Sequence, residues 1–172
     1  MIGFYDYTVI ATYLATILGV SGIFFAADGA VLGADAIDFE MVDPYGKVVK
    51  LSDYRGKAVY IDFWATWCLP CCMQIPYMEK LAEKYKDDKR IAFISISIDK
   101  NIKNWNEKIA EDKPFWPQFR TDDAGKAVQT AYGFAAIPRF MLFTADGKIA
   151  NVDAPRPQDA DAASALIDSI LK

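Results

Sequence analysis

The chain has 172 residues, of which 53% are hydrophobic and 14% aromatic, enough apolar surface to build one domain with a sizeable core and too much for a disordered chain. Its 19 basic and 23 acidic residues give a net charge of −4 with no basic cluster, so no nucleic acid or other polyanion is expected as a partner. There are 3 cysteines and no histidine, a combination that narrows the chemistry sharply.

The elements follow in chain order. From Tyr7 to Ala27 there is no charged residue, and that length suffices for a helix across a bilayer core of ~30 Å, which takes roughly 20 residues. The segment is read as a membrane anchor or export signal, with a buried helix as the alternative. Asp6 precedes it and no Lys or Arg occurs before Lys47, so charge sets no orientation. Small residues follow in "DGAVLGADA", a linker, which divides the chain into an N-terminal hydrophobic segment with linker (1–35) and a folded domain (36–172).

Within that domain, Asp43-Pro44-Tyr45-Gly46 is a turn signal between two short β-like runs and predicts a hairpin. "AVYIDFW" is short and nearly all apolar, as a buried central strand requires. Met78, Leu81, Ala82 and Tyr85 recur at the spacing of one helix face. "IAFISISI" alternates Ile94, Ile96 and Ile98 with serines, a strand, and Ile102, Trp105 and Ile109 mark a helix that ends around Pro114 and Pro117. "TDDAGKAVQTAYG" predicts a short helix with Thr121 or Asp122 as its cap and Gly133 as its stop. "RFMLFTADGKIANV" reads as a hairpin turning at Asp146-Gly147. Ala163, Leu166, Ile167 and Ile170 then line one side of a C-terminal helix. Strands alternating with helices and a late hairpin predict an α/β fold, a mixed central sheet with helices on both faces.

All the cysteines lie in "CLPCC", as Cys68, Cys71 and Cys72. No partner elsewhere can close a long loop with them, which excludes a disulfide framework. Structural zinc would need a fourth donor from a carboxylate or another chain. Thiol exchange remains. Cys68 falls just after the buried strand and just before a helix, where unpaired backbone N–H groups and the positive end of the helix dipole favour an anion. A thiolate there should titrate below its free value, in the range ~3.5–7.5. Cys71 returns to nearly the same side of the first turn, so the two sulfurs can close or open a small ring without moving the fold. The pair reads as attacking Cys68 and resolving Cys71.

"DFWATWCLPC" resembles the active-site segment of the thioredoxin superfamily. Asp62 stands six residues before Cys68, where thioredoxins carry a buried acid, and Pro76 eight after it, where they carry a helix-kinking proline. "AAIPRFMLFTADGKI" is similar to their cis-proline loop and following hairpin. The lead hairpin ending "LSDYRGK" and the extra segment "NIKNWNEKIAEDKPFWPQF" resemble the TlpA/ResA-like membrane-anchored thiol-disulfide oxidoreductases, and "NVDAPRPQ" is like members from Bacteroidetes-type bacteria. The resemblance covers roughly residues 37–172.

It implies a thioredoxin-like fold with an N-terminal hairpin and a βα insertion. It also implies an enzyme that exchanges disulfides through a Cys68–Cys71 couple and a mixed-disulfide intermediate, with no cofactor and no metal. A cis Ile137–Pro138 bond is expected against the disulfide, its neighbouring peptide groups pairing with a substrate chain as an added strand. Trp67, Pro70, Ile137 and Pro138 then form the substrate-binding set. Asp62, an acid inside an apolar strand, should have a raised pKa. It could take up and return the proton of Cys71 directly or through water; the plainer reading is an acid that finds a hydrogen bond at a strand end. Many TlpA/ResA-like proteins carry Asn here, so Asp62 is closer to thioredoxin itself. Cys72 departs from the usual motif, either as a competitor for mixed disulfides or as a tolerated helix residue. Trp64, Trp105 and Trp116 are expected in the core.

Strongly oxidising relatives place a His between the cysteines, and none stands here. The expected direction is therefore reduction of disulfides in exported proteins, with electrons from an upstream redox protein, at the periplasmic face of the cell envelope. Rival readings are copper delivery, which would want a His or Met beside the cysteine pair and finds only Met73, and a redox-inert binding module. A peroxidase would need a Pro/Thr pattern that "ATWCLPC" lacks.

Overall fold

The structure, a computed structural model, describes residues 32–121, 123 and 125–172. The uncharged segment Tyr7–Ala27 and the candidate cap Asp122 lie outside the described residues. Strands β1 (Glu40–Val42) and β2 (Val48–Lys50) form the expected hairpin. The Asp43 carboxylate closes its turn by accepting from the N–H groups of Tyr45 and Lys47, each at 2.8 Å, and Gly46 supplies a φ of +86° that other residues rarely adopt. One 3₁₀ turn, Leu51–Tyr54, leads to β3 (Ala58–Trp64). There follow α1 (Leu69–Cys72), α2 (Ile75–Lys84), β4 (Ile91–Ser97), α3 (Ile102–Asp112), β5 (Gln118–Arg120), α4 (Lys126–Tyr132), β6 (Arg139–Phe143), β7 (Ile149–Asn151) and α5 (Ala160–Ile170).

Among the described residues, seven strands make one mixed sheet in the order β2-β1-β5-β4-β3-β6-β7. The β3–β4 and β4–β5 pairs are parallel and the others antiparallel. β3 is buried at every residue because both faces of the sheet are covered. On one face Tyr60 shares a core with Met78, Leu81 and Ala82 of α2 and with Ala163 and Ile167 of α5. On the other, Val59, Ile61 and Phe63 share a core with Val128 and Tyr132 of α4 and with Met41 of β1. A third cluster at the C-terminal end of β3 joins Trp64, Ala65, Cys68 and Cys71 to Ile98 and to Trp105 of α3.

Three local outcomes differ from the pattern in the sequence. The serines of β4 would face water in a half-covered sheet, yet Ser95 and Ser97 are buried, and each donates a hydrogen bond to a carboxylate, Asp62 or Asp99. Thr121 does not cap α4: its N–H continues the sheet by bonding to the Ser97 carbonyl, and its buried hydroxyl oxygen finds no partner among the described residues. Gly125 holds the N-cap position at φ +79°, and the Asp123 carboxylate accepts from the Ala127 N–H at 2.7 Å. Finally, the described part of the linker runs along β7: the Gly33 N–H bonds to the Ile149 carbonyl and the Ile149 N–H to the Ala34 carbonyl.

Trp105 is among the largest fully buried side chains and wedges α3 against the cluster that contains the cysteines. Trp105→Ala is expected to cost about 3–5 kcal/mol in urea unfolding through lost burial and the cavity left behind. Tyr45→Ala, at a residue 95% exposed in the hairpin turn, should change stability by less than about 0.5 kcal/mol. Similar losses for both would contradict this placement of the core.

Candidate active site

The chain leaves β3 at Trp64, turns through Ala65, Thr66 and Trp67, and enters α1 with Cys68 at its N-cap. The Cys68 N–H bonds to the Ala65 carbonyl at 3.1 Å. The buried Asp99 carboxylate clamps the turn, accepting from the Thr66 N–H at 2.9 Å and the Thr66 hydroxyl at 2.8 Å. Leu69 and Pro70 occupy the first helical positions, where the missing N–H of proline costs no intrahelical bond. The N–H of Cys71 therefore comes round to Cys68, shared between its carbonyl oxygen at 3.0 Å and its Sγ at 3.2 Å.

Cys68 and Cys71 are joined as a disulfide, with their Cα atoms 5.2 Å apart. Cys68 keeps 6% exposure against 1% for Cys71, so the two sulfurs differ in access. Trp67, Leu69 and Met73 stand exposed around them, as does Pro70. Pro76 has no N–H to offer the Cys72 carbonyl, and the helix divides at Met73–Gln74 into α1 and α2. The Ile137–Pro138 peptide bond is cis, and Ile137 packs against the cluster that contains Cys68 and Cys71.

Asp62 lies in the middle of β3, 3% exposed, in register with Ser95 on β4 and Phe140 on β6. Burial pushes its pKa from an ordinary 3.8 up to about 7, against the opposing pull of the Ser95 hydroxyl, which donates to Oδ2 at 3.3 Å. Oδ1 has no partner among the described residues. A cavity of about 10 Å³ adjoins the acid, lined by Trp64, Ser95, Asp112 and Trp116, and by Ile75 and Ile109. That is about the room one water needs. Trp64, Ile75 and Ile109 also belong to the cluster around the disulfide, so the cavity and the cysteine pair share neighbours, although neither Cys68 nor Cys71 lines the cavity.

Cys72 is the one free thiol, half-buried, with its Sγ 3.7 Å from the Thr66 carbonyl oxygen. Burial raises its pKa, which favours the protonated, less nucleophilic thiol. Several polar contacts of this region escaped the sequence reading. Asp99 fixes the approach to Cys68; Trp116 donates its indole N–H to Ser95 Oγ at 2.9 Å; Gln74, 3% exposed, is paired through its side-chain amide with Gln158 at 3.0 Å. No local signal points to these contacts, since each joins residues far apart in the chain. Trp64, Trp105 and Trp116 are buried as expected.

Three comparisons agree with this geometry. Residues 32–166 match the Redoxin family. The chain is 33% identical over 131 residues to the thiol-disulfide oxidoreductase ResA of Bacillus thuringiensis subsp. konkukian, covering 74% of this chain and 72% of that one. To ResA of Geobacillus thermodenitrificans it is 33% identical over 150 residues, covering 84% and 83%. Among solved structures, one from Bacteroides vulgatus that carries the name of a thiol-disulfide oxidoreductase superposes with a TM-score of 0.76 at 39% identity, over 84% of this chain and 99% of that one.

The buried acid has a consequence for stability. The folded protein holds the Asp62 proton up to about 7, whereas an unfolded chain releases it near 3.8. Between those values the folded state binds more protons, so stability falls as pH rises, by about 4 kcal/mol over the window. Asp62→Asn should remove that loss, making the oxidised variant gain on the wild type from pH 4 to pH 7.5 in denaturant titrations. A constant difference across that range would show that Asp62 titrates normally.

Proposed function

The chain belongs to the Redoxin family, as a TlpA/ResA-like member of the thioredoxin superfamily that exchanges thiols and disulfides with protein partners, and from that premise we propose that Cys68 attacks, Cys71 resolves and Asp62 carries the proton between them. The observation that carries this reading is the Cys71 N–H aimed at Cys68 Sγ at a helix start. In the reduced protein the same donor holds a thiolate.

The Cys68 thiolate attacks one sulfur of a substrate disulfide, forms a Cys68–substrate disulfide and expels the other substrate sulfur as a thiolate. The Cys71 thiol then gives its proton to the Asp62 carboxylate, directly or through a water, and attacks Cys68 Sγ. The Cys68–Cys71 disulfide forms and the second substrate thiolate leaves. Asp62 afterwards releases its proton to the solvent or to a departing thiolate. Two electrons pass to the substrate, and an upstream redox protein restores the dithiol. With a pKa of about 7, Asp62 is partly a carboxylate at neutral pH and can both accept and return a proton.

Trp67 and Pro70 form the exposed rim beside Cys68, and Ile137 with Pro138 forms the facing wall, whose peptide groups pair with an extended substrate segment. The lack of histidine between the cysteines leaves the thiolate less stabilised than in strong oxidants, which favours reduction of disulfides. The uncharged N-terminal segment supports a place at the outer face of a cell membrane, where disulfide-bearing exported proteins occur. Among the described residues no helix is long and apolar enough to cross a membrane.

Insulin reduction with dithiothreitol as recycling reductant tests the assignment. Cys68→Ser should fall to the uncatalysed rate. Cys71→Ser should still attack and accumulate a covalent insulin-chain adduct that dithiothreitol releases. Wild-type turnover by Cys68→Ser, or an adduct on Cys68→Ser and none on Cys71→Ser, would reverse or remove the roles of the two sulfurs.

A further inference from the structure

Asp62 does not sit alone in its cavity. The indole N–H of Trp116 donates to Ser95 Oγ at 2.9 Å, and the Ser95 hydroxyl stands 3.3 Å from Asp62 Oδ2. Indole can only donate, so it takes up acceptor capacity of the serine oxygen and leaves its single hydrogen for the carboxyl group. The chain of bonds thus has one direction, from Trp116 through Ser95 to Oδ2. All three residues are at most 6% exposed, and water does not compete at the surface for these bonds. The serine is held from behind as well, because its N–H bonds to the Pro117 carbonyl at 3.1 Å. Asp62 Oδ1, by contrast, is buried and has no partner among the described residues.

We propose that Ser95 and Trp116 are positioning residues for the exchange reaction: they commit Oδ2 of Asp62 to accepting a hydrogen bond and leave Oδ1 as the oxygen that takes and returns the proton. This rests on the reading of Asp62 as proton carrier. With Oδ2 committed, the acid needs no rotation between accepting a proton and giving it back. The bond from Ser95 also favours the carboxylate over the acid and so offsets part of the effect of burial. The other titratable groups around Asp62 are Tyr60 on the same strand, Asp112 of α3 with its partner Lys108, and the thiols of α1; Gln118 of β5 and Phe140 of β6 bring no charge. None of them donates a hydrogen bond to either Asp62 oxygen among the described residues, and Ser95 alone is placed to tune it.

The test is the pH profile of single-turnover resolution, the release of a mixed disulfide preformed on Cys68, between pH 5 and 9. Ser95→Ala should move the midpoint of the rising limb up by about one pH unit, roughly a tenfold slower rate well below the midpoint. Trp116→Phe, which keeps an aromatic ring but removes the N–H, should shift it the same way by less, and Ser95→Thr, which keeps the hydroxyl, should restore the wild-type midpoint. Asp62→Asn should abolish the limb, and Ser95→Ala added to it should change nothing more. A carbon-13 titration of the Asp62 carboxyl in the oxidised Ser95→Ala protein gives the same reading without turnover. If Asp62→Asn abolishes the limb while Ser95→Ala leaves both midpoint and titration unmoved, the positioning role is wrong and the proton role of Asp62 stands. If Asp62→Asn keeps the wild-type limb, both fall together.

Discussion

The site depends on one contact, a backbone N–H from the first turn of a helix donated to a sulfur at its N-cap. Peptide dipoles cannot rotate away once the turn is formed, so the donor is in place before any charge develops and no reorganisation is needed when it does. Everything nearby serves to hold that geometry. The fully buried β3 fixes where the helix starts, and Asp99 holds the intervening turn by two hydrogen bonds to Thr66. Trp105 backs the cysteine pair from α3. The rigid frame leaves the sulfurs themselves as the parts that change bonding.

A second constraint is the contrast between the two sides of the disulfide. Outward from Cys68 the surface is apolar and exposed at Trp67, Leu69 and Met73, a surface suited to an extended partner segment. On the inner side, a small cavity shares neighbours with the cysteine pair and holds the buried, protonatable Asp62. In the proposed reaction, electrons are exchanged on the wet side and protons on the dry one. Burial supplies both features, since the same packing that limits access to Cys71 also raises the pKa of Asp62.

The architecture was readable because its elements are periodic or punctuated. β3 shows as a nearly all-apolar run interrupted by Asp62, α2 by its spacing, and the hairpins by Asp43–Gly46 and Asp146-Gly147. The cysteine pair was legible because its spacing and its place after a strand are local properties. What the sequence did not display are the contacts that cross between elements. Ser95 and Trp116 are 21 residues apart and meet only once β4 and the segment before β5 are packed. Asp99 reaches Thr66 across 33 residues. The start of α4 was misplaced for a similar reason: Thr121 is drawn onto the sheet through its bond to Ser97, and the helix begins only after Gly125.

The account stands or falls on the ionisation of Cys68 in the reduced protein. Thiolate absorbance near 240 nm, followed against pH in a form with Cys72 replaced by Ser so that only the active pair titrates, measures it directly. The account predicts a first midpoint between about 3.5 and 7.5, well below that of a free thiol. A first midpoint at about 8.5 or higher would mean that the helix start does not stabilise the sulfur, and would contradict the central claim.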